Sequence, residues 1–171
     1  VVVLVLIVEL RANGVNLSAV SQSAVKAISP PPPPPVCETR PVNGQIIGPP
    51  VTTPTGVHTL TIKNGSDGDA IVKVRDAVTG RAVVSFFVAA NATTTFDRLR
   101  DGKYQVQFAV GGAMTADCKT FIQPRAVKMF PEDSTFGQPG MAVDELTYSL
   151  YSMPSGNVMP KTISISDFNA D

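Results

Sequence analysis

Residues 93–110 read TTTFDRLRDGKYQVQFAV, and the class of fold turns on how this stretch is read. Phe96 and Leu99 lead into Arg100-Asp101-Gly102-Lys103, where Asp-Gly supplies the positive φ that a tight reversal requires. Beyond the turn, Tyr104, Val106, Phe108 and Val110 alternate with Lys103, Gln105 and Gln107. That is the period of a strand with one buried and one wet face. The stretch therefore reads as a β-hairpin whose apolar face needs a partner sheet.

Working outward, the flanking segments repeat the pattern. On the N-terminal side, residues 58–63 alternate with Leu60 and Ile62 on one face, 64–69 form a turn, and 70–75 are the return strand with Val72 and Val74 inward. After a turn at 76–80, residues 81–88 make the most apolar strand, expected at the centre of the sheet. On the C-terminal side, 118–122 and 126–130 are candidate strands, 131–140 a long surface loop, and 145–152 and 161–166 the last two strands. Short strands at hairpin spacing, with no helical pattern after Ile28, predict a mainly β domain over 57–171, an antiparallel sandwich or barrel.

The N-terminal part has a different character. Val1, Val2, Val3, Leu4, Val5, Leu6, Ile7 and Val8 are all apolar, and Glu9, Arg11 and Asn13 follow at once. A bilayer crossing takes about 20 helical residues, so the run reads as the outer end of a membrane helix. The tail of a signal peptide and a β-branched strand that pairs with another subunit are the alternatives. Leu17, Val20, Ala24 and Ile28 recur at helical spacing, which extends the anchor reading to a helix over 1–28. Pro30, Pro31, Pro32, Pro33, Pro34 and Pro35 then impose polyproline II, a stiff spacer of roughly 19 Å. A ligand for proline-reading domains is the rival role of that tract. The linker is expected to run from 29 to 56, with Ile46 and Ile47 laying a short edge strand in passing.

Composition narrows the functional classes. The 171 residues carry zero formal net charge, and no Lys/Arg cluster suits a polyanion, so nucleic acid is not an expected partner. Cys37 and Cys118 form no metal-ligand cluster; they are either a long-range disulfide of an oxidising compartment or two separate buried thiols. His58 is the sole histidine and has no nucleophile elbow to serve. Asn64, Ser66, Asp67 and Asp69 could surround a calcium ion, but the spacing is not that of an EF-hand, and turn chemistry accounts for them. The acid pairs Glu132-Asp133 and Asp144-Glu145 read as solvated surface, and the sequon Asn91-Ala92-Thr93 as a turn. With no tryptophan, and with Tyr148 and Tyr151 on opposite sides of one strand, sugar stacking has little to work with. Neither catalysis, a cofactor, a metal nor a small-molecule ligand is expected.

The strand, Asp-Gly turn and Tyr-x-Val-x-Phe strand are similar to those of many immunoglobulin-like and transthyretin-like extracytoplasmic modules. Over residues 43–168, DAVTGRAV, DGKYQVQFAVGG, and SGN followed by ISISDF stand where a family of uncharacterised bacterial domains carries its motifs. The chain resembles that family, whose members follow a membrane segment and a proline-rich linker. Residues 113–119 replace the aromatic segment usual there after the glycine pair. The resemblance implies topology and compartment, not an activity. The expectation is a module anchored in the bacterial inner membrane with its β-domain on the periplasmic side, touching lipid and other protein subunits of a membrane complex. The alternative is a pilus-like filament subunit that assembles by strand addition through residues 1–8.

Overall fold

The computed structural model describes residues 31–48, 56–131, 133–137, 143–151 and 159–170. The chain divides into two units, Val1–Pro33 and Pro34–Asp171, and every element named below belongs to the second. In order these are β1 (His58–Lys63), β2 (Asp69–Asp76), β3 (Ala82–Val88), β4 (Thr93–Leu99), β5 (Gly102–Gly111), β6 (Ala126–Met129), β7 (Ser134–Phe136), β8 (Glu145–Ser149), β9 (Lys161–Thr162) and the short helix α1 (Ile165–Asn169).

The strands form two sheets and no closed barrel. One has the order β4-β1-β8; the other runs β3-β2-β5-β6-β9, with β7 also on β5. All pairs are antiparallel except β1 with β8, which run parallel from Thr59 opposite Glu145 to Lys63 opposite Ser149. Alternate residues of both sheets meet in one core: Leu60, Ile62 and Phe96 from the small sheet, Val72, Phe86 and Phe108 from the large one. Phe86 and Phe96 stack across the interface with centroids 6.2 Å apart. Each such side chain contributes roughly 1.5–3 kcal/mol by leaving water. A second apolar cluster covers the other face of the large sheet, where Ile71, Phe87, Ala109 and Val127 meet Met114, Phe121 and Phe168.

The hairpin expected over 93–110 is not formed. β4 pairs with β1, whereas β5 pairs with β2, β6 and β7, so the corner at Arg100-Asp101 carries the chain from one sheet to the other. Alternation identifies the buried side of each strand but not the sheet it joins: Phe96 and Leu99 reach the core from one side, Tyr104 and Val106 from the other. The same holds for β1 and its supposed return strand β2, which lie in opposite sheets. β2 and β3 do form a hairpin. Its turn is fixed by Asp76, whose carboxylate accepts from the Val78 and Thr79 N–H groups and the Thr79 hydroxyl, and by Gly80 at φ +72°.

Other expectations are also revised. β3 is the terminal strand of the large sheet, not its centre, and β2 and β5 are interior. Residues 118–122 form no strand, only a bridge from Phe121 to Met114, and the supposed loop 131–140 contains β7. The alternation in 161–166 ends after β9, because the Ser164 hydroxyl accepts from the Asp167 N–H at 2.9 Å and starts α1. The helix expected over 1–28 and the first proline of the spacer, Pro30, lie outside the described residues. Pro31–Pro35 are exposed and belong to no strand or helix. Among the described residues no helix is long and apolar enough to cross a membrane. Residues 36–48, expected as linker, are part of the folded unit.

Candidate functional site

Residues 36–48 form a strap along the outer edge of β3. Ile46 bridges Phe86, the Gly44 and Ile47 N–H groups donate to the Phe87 and Ser85 carbonyls, and the Phe87 N–H donates to the Gln45 carbonyl, all within 2.9 Å. These bonds occupy an edge that would otherwise stay open. The sequence permits the fit at two glycines. Gly44 takes φ +85°, and a Cβ on Gly48 would come within 2.4 Å of the Ser85 Cβ.

Two side chains and one covalent bond hold the strap. The Asn43 amide donates to the Thr93 carbonyl at 2.9 Å, and its oxygen accepts from the Ala89 N–H and the Thr94 hydroxyl. Arg40 forks onto Asp69 through Nε and Nη2 and lies 5.2 Å from the Phe87 ring centroid. Burial pushes the Asp69 pKa up, but the Arg40 guanidinium and the Ala90 N–H overcome it and hold the carboxyl below the usual range. Cys37 and Cys118 are bonded, with Cα atoms 5.1 Å apart. Cys118 sits at φ +59° in the loop between Met114 and Phe121.

His58 is 1% exposed where four segments meet. Its Nε2–H donates to Asp101 at 2.8 Å, and Nδ1 accepts the Asp144 N–H at 3.0 Å. Both nitrogens are thereby committed, and the ring packs against Phe136 with centroids 5.5 Å apart. The Asp144 carboxylate accepts from the Gly137 N–H, while Glu145 is exposed. Histidine here fastens the β4–β5 corner to the start of β1 and to the segment preceding β8.

The Asn64, Ser66, Asp67 and Asp69 oxygens do not converge. Asn64 turns inward to the Gly68, Val88 and Ala89 carbonyls, Asp67 pairs with Arg125 at 2.9 Å, and Asp69 serves Arg40. Among the described residues no group of three or more His, Cys, Asp or Glu is placed to hold a metal ion. Asn91 is exposed at φ +55° in the turn before β4. The Tyr148 hydroxyl meets the Ser134 hydroxyl at 2.8 Å; Tyr151 is exposed and lies against Gly65. Asp133 is exposed, and Glu132 is outside the described residues.

Arg75 carries weight that its place in β2 conceals. It is 5% exposed and donates to the Gln107 side chain and to the carbonyls of Gly80, Phe168 and Ala170, the last two at the end of α1. Lys73, two residues earlier, places Nζ 5.1 Å from the Phe168 ring centroid. The sequence signal was Ile71 and Phe87 at nominally wet positions of neighbouring strands, which indicates a covered outer face.

Four carboxylates are held below their ordinary pKa: Asp67 by Arg125, Asp69 as above, Asp76 chiefly by the Thr79 N–H and hydroxyl, and Asp117 chiefly by the Thr115 hydroxyl. Depressed folded values give stability that is complete above the unfolded value of about 3.9 and is lost as pH falls through the folded values. Denaturant melts should therefore show stability level near neutrality and dropping below about pH 4. Asp69→Asn should cost about 1 kcal/mol at pH 7 and flatten that drop; an unchanged acid limb would remove Asp69 from the account.

Together these features define a disulfide-strapped, two-sheet β-domain with polar nodes at both ends. Comparison with known protein families, characterised proteins and solved structures finds no match to this chain.

Proposed function

We propose that this chain is a non-catalytic assembly module, held at the bacterial inner membrane by its N-terminal segment, with the β-domain in the periplasm as an accessory subunit of a larger membrane complex. The observation that carries this reading is the strap. It directly follows the exposed Pro31–Pro35 and presents Val36, Val42 and Ile46 to solvent, with Val42 70% exposed. Apolar side chains spent on an outer strap, rather than on either core, are suited to a protein partner. The disulfide fits an oxidising, extracytoplasmic compartment. Of the polar groups considered for chemistry, His58, Asn64, Asp67, Asp69 and Asp144 are engaged in holding loops together.

Membrane purification of the full chain, with identification of co-migrating proteins, tests the reading. Val42→Asp should leave the melting temperature unchanged and lower partner recovery about tenfold, because one exposed anchor can dominate an interface. Replacing residues 30–35 by a Gly/Ser stretch should likewise spare the domain and weaken recovery, since stiffness sets its reach. Partner recovery unaltered by both changes, or no partner at all, would count against the module.

A further inference from the structure

We propose that the edge of β3 accepts the strap in trans as well as in cis, so that two copies of this chain exchange residues 36–48, Cys37 of each bonding Cys118 of the other. The strap is organised as a detachable piece. Its internal contacts are one small turn, in which the Gln45 N–H donates to the Val42 carbonyl and the Gln45 side chain accepts the Val42 N–H. Its other hydrogen bonds and ion pair reach distant residues: Ser85, Phe87, Ala89, Thr93, Thr94, Met114 and, through Arg40, Asp69. Every one of them is reproduced when the strap comes from a second copy, so exchange sacrifices no contact. The balance then rests on protein concentration and on the connection between strap and β1.

The occupant is a second copy rather than any extended peptide because the site asks for more than backbone. It asks for an amide where Asn43 meets Ala89, Thr93 and Thr94, for a guanidinium over Phe87, and for a residue without Cβ against Ser85. It also asks for a thiol opposite Cys118. Residues 37–48 meet all four in order. In forming each intermolecular bond, two cysteine thiols give up two protons and two electrons to a disulfide oxidant, which leaves as two thiols. The proposal does not depend on the membrane reading.

The test uses the full wild-type chain. Unlabelled and 15N-labelled protein are mixed, reduced with a dithiol, and reoxidised with oxidised glutathione over a range of protein concentrations. Monomer and dimer are separated, and disulfide-linked peptides are identified by mass spectrometry without reduction. Exchange predicts a dimer fraction that grows with concentration, in which mixed-label Cys37–Cys118 pairs are as abundant as the two same-label pairs together. Monomer at every concentration, dimers whose Cys37–Cys118 pairs each carry a single label, or dimers joined through Cys37–Cys37 or Cys118–Cys118 would overturn it.

Discussion

A protein with serine at both Cys37 and Cys118 is expected to be about 4 kcal/mol less stable than the wild type, with a melting temperature lower by roughly 10–15 °C. The bond ties residues 81 apart, so most of its effect lies in the unfolded chain, which loses the freedom of a long loop. The folded strap keeps its ladder on β3, the Asn43 bonds and the Arg40–Asp69 pair without the sulfurs. The variant should therefore fold to the same structure, with its amide protection lost first along 36–48. Denaturant melts and hydrogen exchange check both halves. A loss below about 1 kcal/mol would show that the reduced chain is already constrained without the bond.

Asn64→Asp should be nearly as damaging, at about 3 kcal/mol at pH 7, although the side chains have the same shape. Asn64 is 1% exposed, and its amide nitrogen donates to the carbonyls of Gly68 at 2.8 Å and Ala89 at 3.0 Å, with Val88 at 3.3 Å. Its oxygen accepts from the Ser66 N–H and hydroxyl. A carboxylate keeps the acceptor and loses both donors, leaving a buried charge against carbonyl oxygens. Burial raises the pKa of such a group, so the variant's deficit grows as pH rises through that value and narrows in acid, where a protonated carboxyl can donate again. Equilibrium melts at pH 4 and pH 7 measure the difference. A deficit independent of pH would assign the loss to packing instead. Asn64→Ala, which only removes bonds, should cost about 2 kcal/mol at either pH.

The buried face of each strand was legible because apolar and polar residues alternate along it: Leu60 and Ile62, Val72 and Val74, and Tyr104, Val106 and Phe108 all lie in the inter-sheet core. Sheet membership was not legible. A turn such as Arg100-Asp101-Gly102 serves a hairpin and a crossing between sheets equally well, and only long-range pairing distinguishes them. The parallel pairing of β1 with β8 leaves no local signal at all. Asn43 fell within the expected linker over 29–56, since a side chain's remote partners at Ala89, Thr93 and Thr94 cannot be read from its neighbours. Arg75 was hidden for a related reason. A cation at a wet strand position is ordinary, and its burial depends on α1, which the Ile-Ser-Ile-Ser alternation disguised as a strand.

The position of β1 between β4 and β8 bears on the order in which the domain can be made. Thr59 leaves the ribosome long before its partner Glu145, and the middle strand of the small sheet stays half-paired until β8 arrives. By then β2, β3, β5 and β6 have all been synthesised, yet the inter-sheet core that covers one face of the large sheet still lacks the contributions of Leu146, Tyr148 and Leu150. Pairing across so great a sequence separation is slow, because the closure entropy of the intervening chain is met before any contact compensates it. A nascent chain of this design can complete its small sheet only after residues 145–149 have been made, whatever the large sheet has formed by then.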